Sequence, residues 1–357
     1  MKQETGNRKQ ETGISLFANV GIDETYFRQC GINIKVSNEL IEERAKFYHH
    51  LYPDVNMICG DITKEEIFNK LVYEYKKNNC SFLIATPPCQ GMSLAGKRKK
   101  NDIRNFLIIQ VIEFIKKTQP KNIIIENVPQ LLTTTLTINN KDFLIPDYIK
   151  IELEQLGYFI NYKVCDACFY NTPQYRKRCI FLISKIKKWE FPQENKPITV
   201  KEAIGDLPSL ESSEDSGIQY HKALKHNDKH ILWLKHTPTG KTALDNEYFY
   251  PEKDGRKIKG YSTTYKRIDW DKPAPTITMS NGSISSQNNC HPGRLLPDGT
   301  YSDARALTIL ELLRLTGLPD NWNIPEWASE NLIRKVIGEG FPPKFASAML
   351  TTMPYDE

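Results

Sequence analysis

The chain has 357 residues, 39% hydrophobic and 25% charged, with a formal net charge of +5. That length predicts two domains, or one domain with a large insertion, and a core ample enough to need no disulfide or metal staple. No run approaches the ~18 apolar residues of a membrane helix, and the polar N-terminus has no signal-peptide core, which argues against fibrous, disordered, membrane-spanning and secreted classes.

The eight cysteines are scattered through apolar runs, the pattern of reduced intracellular thiols, and the expected location is cytoplasmic. Cys165-x-x-Cys168 has no second pair at zinc spacing, so no metal site is expected.

In chain order, residues 2–6 and 9–13 repeat Lys-Gln-Glu-Thr-Gly, and 1–13 read as a flexible tail. Short apolar runs bounded by turn residues then predict strands at 14–18, 32–36, 55–59, 81–85, 122–126, 159–165 and 178–184. Helical spacing predicts helices at 41–51, 64–75, 103–117 and 147–156. The alternation implies a mostly parallel sheet with helices on both faces and a ligand site at the strands' carboxyl ends. Residues 187–267 lose the alternation and read as an irregular or β-rich unit, and helical spacing returns at 308–316 and 332–349.

The strand ends carry the chemistry. Phe17-Ala18-Asn19-Val20-Gly21 after the first strand is a small-residue turn of nucleotide-cradle type, or an ordinary strand–helix turn. Glu39 ends the second strand, where an acceptor for a ribose diol or a helix-capping acid would stand. Asp61 follows the third and suits an adenine amino group or a helix cap. The fourth runs into Pro87-Pro88-Cys89-Gln90, two prolines presenting a cysteine in a polar loop. Lys97-Arg98-Lys99-Lys100 follow and favour the thiolate, so Cys89 is read as a nucleophile. Glu126 leaves the fifth strand partly desolvated, suited to holding a proton.

Pro88-Cys89-Gln90, Glu126-Asn127-Val128 and Gln174-Tyr175-Arg176-Lys177-Arg178, in this order, resemble the cytosine-5 DNA methyltransferases. Arg104-Asn105-Phe106-Leu107, the run from Arg267 to Thr278, Arg305 with Glu311, and Ile337-Gly338-Glu339-Gly340-Phe341 extend the resemblance over 14–350. Asn19 stands where the family has a glycine, and Asn tolerates left-handed backbone. Ile22 replaces another, and Glu339 stands in place of an asparagine.

The resemblance implies a Rossmann-like S-adenosylmethionine-dependent methyltransferase sheet with a smaller target-recognition domain. Its boundaries are expected at 14–186, completed by 330–357, and at 187–329. Cys89, Glu126, Arg176 and Arg178 are its implied catalytic set: a thiolate adding to carbon-6 of a flipped-out cytosine, a carboxyl at ring nitrogen-3, and two guanidiniums on the base. Phe17, Ala18, Gly21, Glu39, Asp61, Ile62, Pro88, Leu107, Glu339 and Phe341 are the implied S-adenosyl-L-methionine contacts, the product being S-adenosyl-L-homocysteine. Gln90, Ser93, Lys97, Arg98, Lys99, Arg104, Arg267 and Thr278 are the implied DNA contacts. Residues 221–267 hold eleven Lys or Arg against five Asp or Glu, a surplus of six interleaved with aromatics, as double-stranded DNA would require. A monomer acting beside a cognate restriction endonuclease is expected. A tRNA cytosine methyltransferase and a non-catalytic DNA-binding partner subunit stand as alternatives.

Overall fold

A computed structural model describes residues 10–88, 107–138, 140–285 and 289–356. The chain divides into two compact units. The first comprises 1–166, 177–193 and 345–357; the second comprises 167–176 and 194–344. The predicted divisions stood at 186/187 and 329/330. The structure keeps the chain in the first unit to 193 and in the second to 344.

The first unit is built on a seven-stranded sheet. Its strands are β1 (Glu11–Leu16), β2 (Ile32–Glu39), β3 (Asn56–Cys59), β4 (Phe82–Ala85), β5 (Asn122–Asn127), β8 (Phe159–Asp166) and β9 (Lys177–Ser184). The hairpin β6 (Thr135–Ile138) and β7 (Lys141–Leu144) stands outside it. The order is β3-β2-β1-β4-β5-β9-β8, with β9 antiparallel to both its neighbours and the other pairs parallel. Strand β1 begins at Glu11, so 11–13, predicted as tail, are sheet. Gly13 makes this local: a Cβ there would lie 2.9 Å from the Phe82 ring.

Alternation along the strands splits the side chains between the two faces. Ile14, Leu16, Val36, Leu83, Ile123, Ile125, Phe181 and Ile183 form one core with buried residues of α2 (Glu65–Lys77), α3 (Leu107–Thr118) and α4 (Ile145–Glu154). Ser15 and Ser37, paired across β1 and β2, point to the opposite face. Helix α1 (Glu42–Leu51) covers that face and buries Phe47 and Tyr48. The C-terminal residues complete this unit: Trp189 donates to the Met349 carbonyl at 3.2 Å and Asn122 to that of Pro354 at 2.8 Å.

The second unit holds the short helices α5 (Val200–Ile204), α6 (Asp228–Lys235), α7 (Ile309–Thr316) and α8 (Glu330–Glu339), and the hairpin β10 (Glu252–Lys253) and β11 (Arg256–Lys257). Capping boxes start α5 (Thr199 with Glu202) and α7 (Thr308 with Glu311). The single helical run predicted at 332–349 is two helices, α8 and α9 (Pro343–Leu350), because Pro342 and Pro343 cannot continue the first. A buried polar network sits beneath α7. Arg305 bonds Glu311 through both terminal nitrogens at 2.9 Å and Asp303 at 2.9 Å. His291, its pKa depressed to about 3 by burial, receives the Gly293 N–H on Nδ1.

Candidate active site

Register places the functional strand ends in one row. Leu16 of β1 lies opposite Asn38 of β2 and Ala85 of β4, Ala85 lies opposite Ile125 of β5, and Glu39 lies opposite Cys59 of β3. Each loop that leaves this row carries a predicted residue.

The loop after β1 departs from a glycine-rich turn and is held from outside. Phe17 and Asn19 take left-handed φ angles of 60° and 52°, conformations that glycine adopts freely and Asn tolerates. Glu39 receives the Asn19 N–H on one carboxylate oxygen and the Ile41 N–H on the other, both at 2.9 Å. Tyr52 donates to the Gly21 carbonyl at 2.7 Å, and Tyr48 donates to Glu24 at 2.5 Å. Gly21 is obligatory here, at φ 73°, because a Cβ would come within 2.6 Å of Tyr52 and 2.7 Å of Tyr48. Burial pushes the Glu24 carboxyl up to about 7. Burial, then the adjacent Glu24, raise Asp23 as well, and the charge of Glu126 adds to this. Asp23 and Glu24 escaped the sequence reading, since acids after a turn read as ordinary partners of a helix start.

The β3 loop is fixed by Asn38, whose amide donates to the carbonyls of Ile58 at 2.9 Å and Gly60 at 3.0 Å. One oxygen of Asp61 takes the Thr63 N–H and hydroxyl. Lys64, rather than Asp61, precedes α2 as its N-cap, so the helix-capping alternative for Asp61 does not hold. Leu40, directly after Glu39, is 63% exposed, an apolar side chain at the end of β2. No periodicity or motif marks this residue.

The β4 loop carries Pro87 and Pro88 toward Cys89, which lies outside the described residues together with Gln90, Ser93, Lys97, Arg98, Lys99 and Arg104. Its approach is pinned on both sides. Thr86 donates to the Phe17 carbonyl at 3.0 Å, and the Asn127 amide donates to the Pro87 carbonyl at 3.0 Å. At the end of β5, Glu126 is 8% exposed and its carboxylate lies 2.6 Å from Arg178 Nε. This is the one pair of the predicted catalytic set that the described residues bring together.

Arg176, predicted in the catalytic set, belongs to the second unit and is buried, where it donates to the carbonyls of Ile277, Gly338 and Glu339 at 3.0–3.1 Å. Arg267, predicted to meet DNA, is fully buried and donates to the carbonyls of Leu234, His291, Ser302 and Asp303. Five N–H donors in a planar fork suit it to this bracing. Ile62 and Ala18, expected at the cofactor, have buried side chains, Ile62 within the core. Thr278 is half-buried, its main chain packed on Gly338. Leu107 is the first residue of α3 and half-buried, as is Pro88. Glu339 ends α8 and Phe341, buried, follows it, both in the second unit.

Comparison with known proteins decides what this row of strand ends belongs to. Residues 12–354 match the family described as C-5 cytosine-specific DNA methylase. The chain belongs to that family. This methylase is 50% identical over 343 residues to the Type II methyltransferase M1.HgaI of Avibacterium volantium, covering 94% of this chain and 96% of that one. It is 28% identical to M1.HphI of Haemophilus parahaemolyticus, covering 95% and 85%. Its fold is that of the Entamoeba histolytica methyltransferase EhMeth, with TM-score 0.64 at 16% identity over 96% of this chain and 97% of that one. The S. pombe Dnmt2 methyltransferase superposes with TM-score 0.63 at 13% identity over 97% and 98%. The methylase is thus a DNA cytosine-5 methyltransferase with an α/β Rossmann-like sheet.

Proposed function

We propose that this chain is the modification enzyme of a Type II restriction–modification pair, methylating carbon-5 of one cytosine within a specific duplex sequence. The Glu126–Arg178 pair carries the reading, because it stands one strand from the pinned Thr86–Pro88 approach to Cys89.

S-adenosylmethionine, implied by the family, fits the loops after β1 to β3. Asn19 Oδ1 is buried with no hydrogen-bond partner among the described residues, an acceptor waiting for a donor. Glu39 offers remaining lone pairs toward a ribose, Asp61 has a second oxygen for an amino group, and Leu40 presents apolar surface. When bound, the cofactor supplies an electrophilic methyl group.

The remaining chemistry belongs to the chain. Carbon-5 of cytosine is a weak nucleophile, and addition of the Cys89 thiolate to carbon-6 makes the ring enamine-like. Glu126 contacts ring nitrogen-3 and the exocyclic amine and stabilises the charge that addition creates. Arg178 holds the Glu126 carboxylate through Nε and the Lys177 carbonyl through one terminal nitrogen, which leaves the other terminal nitrogen for the base carbonyl. After transfer the carbon-5 proton leaves and the Cys89 thiol is eliminated, which restores the aromatic ring. The cationic run at 97–100 and Arg104 supply phosphate contacts as the base leaves the stack.

Labelled methyl transfer to duplex DNA and to tRNA tests this, with wild type, Cys89→Ala and Glu126→Gln. Wild type is expected to label duplex DNA. Cys89→Ala should lose turnover entirely while still binding DNA, and Glu126→Gln should lose about 100-fold or more. Turnover by Cys89→Ala at the wild-type rate, or labelling of tRNA alone, would refute the reading.

A further inference from the structure

The hairpin β10–β11 contributes nothing to the core of the second unit: all six residues from Glu252 to Lys257 are exposed. Its base is nonetheless fixed. The Ile258 N–H bonds the Pro251 carbonyl at 2.9 Å, the Asn246 amide holds the carbonyls of Trp233 and Phe249, and the Phe249 ring stacks on His236 at 4.3 Å. At its tip Asp254 and Gly255 have φ angles of 53° and 69°, a two-residue turn with both central φ positive, which matches the twist of a hairpin. A rigid stem thus carries a ribbon that buries nothing.

Charge on the ribbon is segregated by face. Residues directly opposite in an antiparallel pair share a face, so Lys253 and Arg256 lie together on one side and Glu252 and Lys257 on the other. Lys257 turns its ammonium over the Tyr250 ring at 4.8 Å. Lys253 and Arg256 meet no carboxylate and no side-chain acceptor among the described residues. Two like charges about 5 Å apart across a strand pair destabilise a hairpin; a polyanion laid against that face removes the penalty. Tyr248 and Tyr261, 69% and 82% exposed, precede and follow the hairpin in the chain and add flat apolar surface to this segment.

Resting on the reading of the chain as a DNA methyltransferase, we propose that this ribbon enters the major groove of the target duplex with the Lys253/Arg256 face toward the DNA. A two-stranded ribbon has the width the major groove admits. Arg256 reads a guanine edge through its planar fork, and Lys253, a point charge, meets phosphate. Asp254, at the tip between Lys253 and Arg256, distinguishes it from a purely phosphate-binding surface, since a carboxylate accepts from cytosine amino groups but repels the backbone.

The test uses the full chain and the duplex sequence that wild type methylates, with Arg256→Ala, Lys253→Ala and, as a charge control on α2, Lys70→Ala. Duplex affinity is measured across salt concentration, and site choice by bisulfite sequencing. Arg256→Ala should narrow the preference for the target over single-mismatch sites by about tenfold or more. Lys253→Ala should weaken all duplexes alike and lower the slope of log K against log salt by about 0.9. Since neither residue is buried, both variants fold. Site choice and salt slope equal to those of Lys70→Ala in both variants would overturn the proposal while leaving the methyltransferase reading intact. Transfer to tRNA with none to duplex would overturn both.

Discussion

Tyr52 and Gly21 explain how the chain shapes the loop after β1, proposed above to hold the cofactor, without the usual glycines. A glycine-rich turn reaches its shape because nothing forbids it; this loop reaches it because hydroxyls and a carboxylate on β2 and α1 hold it there. Tyr52→Phe removes only the hydroxyl that holds the Gly21 carbonyl, a net loss of about 1 kcal/mol for one hydrogen bond. We expect S-adenosylmethionine to bind about three- to tenfold more weakly by calorimetry, with duplex affinity unchanged. Equal cofactor affinity in the variant would show that the hydroxyl does not shape the loop. Glu39 was legible as an acid ending a strand. Its second task, holding the Asn19 N–H, was not, because it depends on a contact between residues twenty apart.

Among the elements, α8 shows a constraint that no periodicity reveals. Its apolar residues at helical spacing mark the buried face, yet Gly338, a poor helix former, sits one residue before its end. The reason is close approach: a Cβ on Gly338 would fall 2.1 Å from the Thr278 carbonyl oxygen, and main chain cannot swing aside as a flexible side chain can. Gly338→Ala is therefore expected to destabilise by about 3 kcal/mol, a drop in Tm of roughly 5 °C or more, readable by thermal melting. A Tm within a degree of wild type would show that the segment at Thr278 yields. Arg176 shares this contact region, donating to the Gly338 carbonyl at 3.0 Å.

On the scale of the whole molecule, the two units differ in how they meet acid. The second unit buries neutral histidines. His226 accepts the Ala306 N–H on Nε2 at 3.0 Å, and burial lowers its pKa to about 4. His291 is lowered to about 3 by the same cause. A histidine with a depressed folded pKa binds its proton more readily when unfolded, so its contribution is complete above the unfolded value near 6.5 and is lost as pH falls toward 4 and 3. Asp303 and Glu311, raised by burial but held below the usual carboxylate range by the Arg305 guanidinium, and by His291 once it is protonated, act in the same direction lower on the scale. Melting curves should therefore show Tm falling steeply between pH 7 and pH 5, and less steeply in His226→Gln. Parallel pH profiles for the two proteins would remove His226 from the explanation.

The alternation of apolar runs specified the sheet, because a strand buried on both faces must be apolar along its length and a covering helix must repeat near 3.6 residues. All seven sheet strands stand within a few residues of where the sequence placed them. The order of candidate residues along the chain was equally local, since residues at strand ends share one edge by topology alone, and so Glu39, Asp61 and Glu126 were placed at or just beyond strand ends without a structure. The tertiary structure decided what each cation is for. Arg176, Arg178 and Arg267 look alike in sequence; two are surrounded by main-chain carbonyls and one faces a carboxylate. A guanidinium binds whatever acceptors the fold brings to it, and those acceptors lie a hundred residues away as often as beside it.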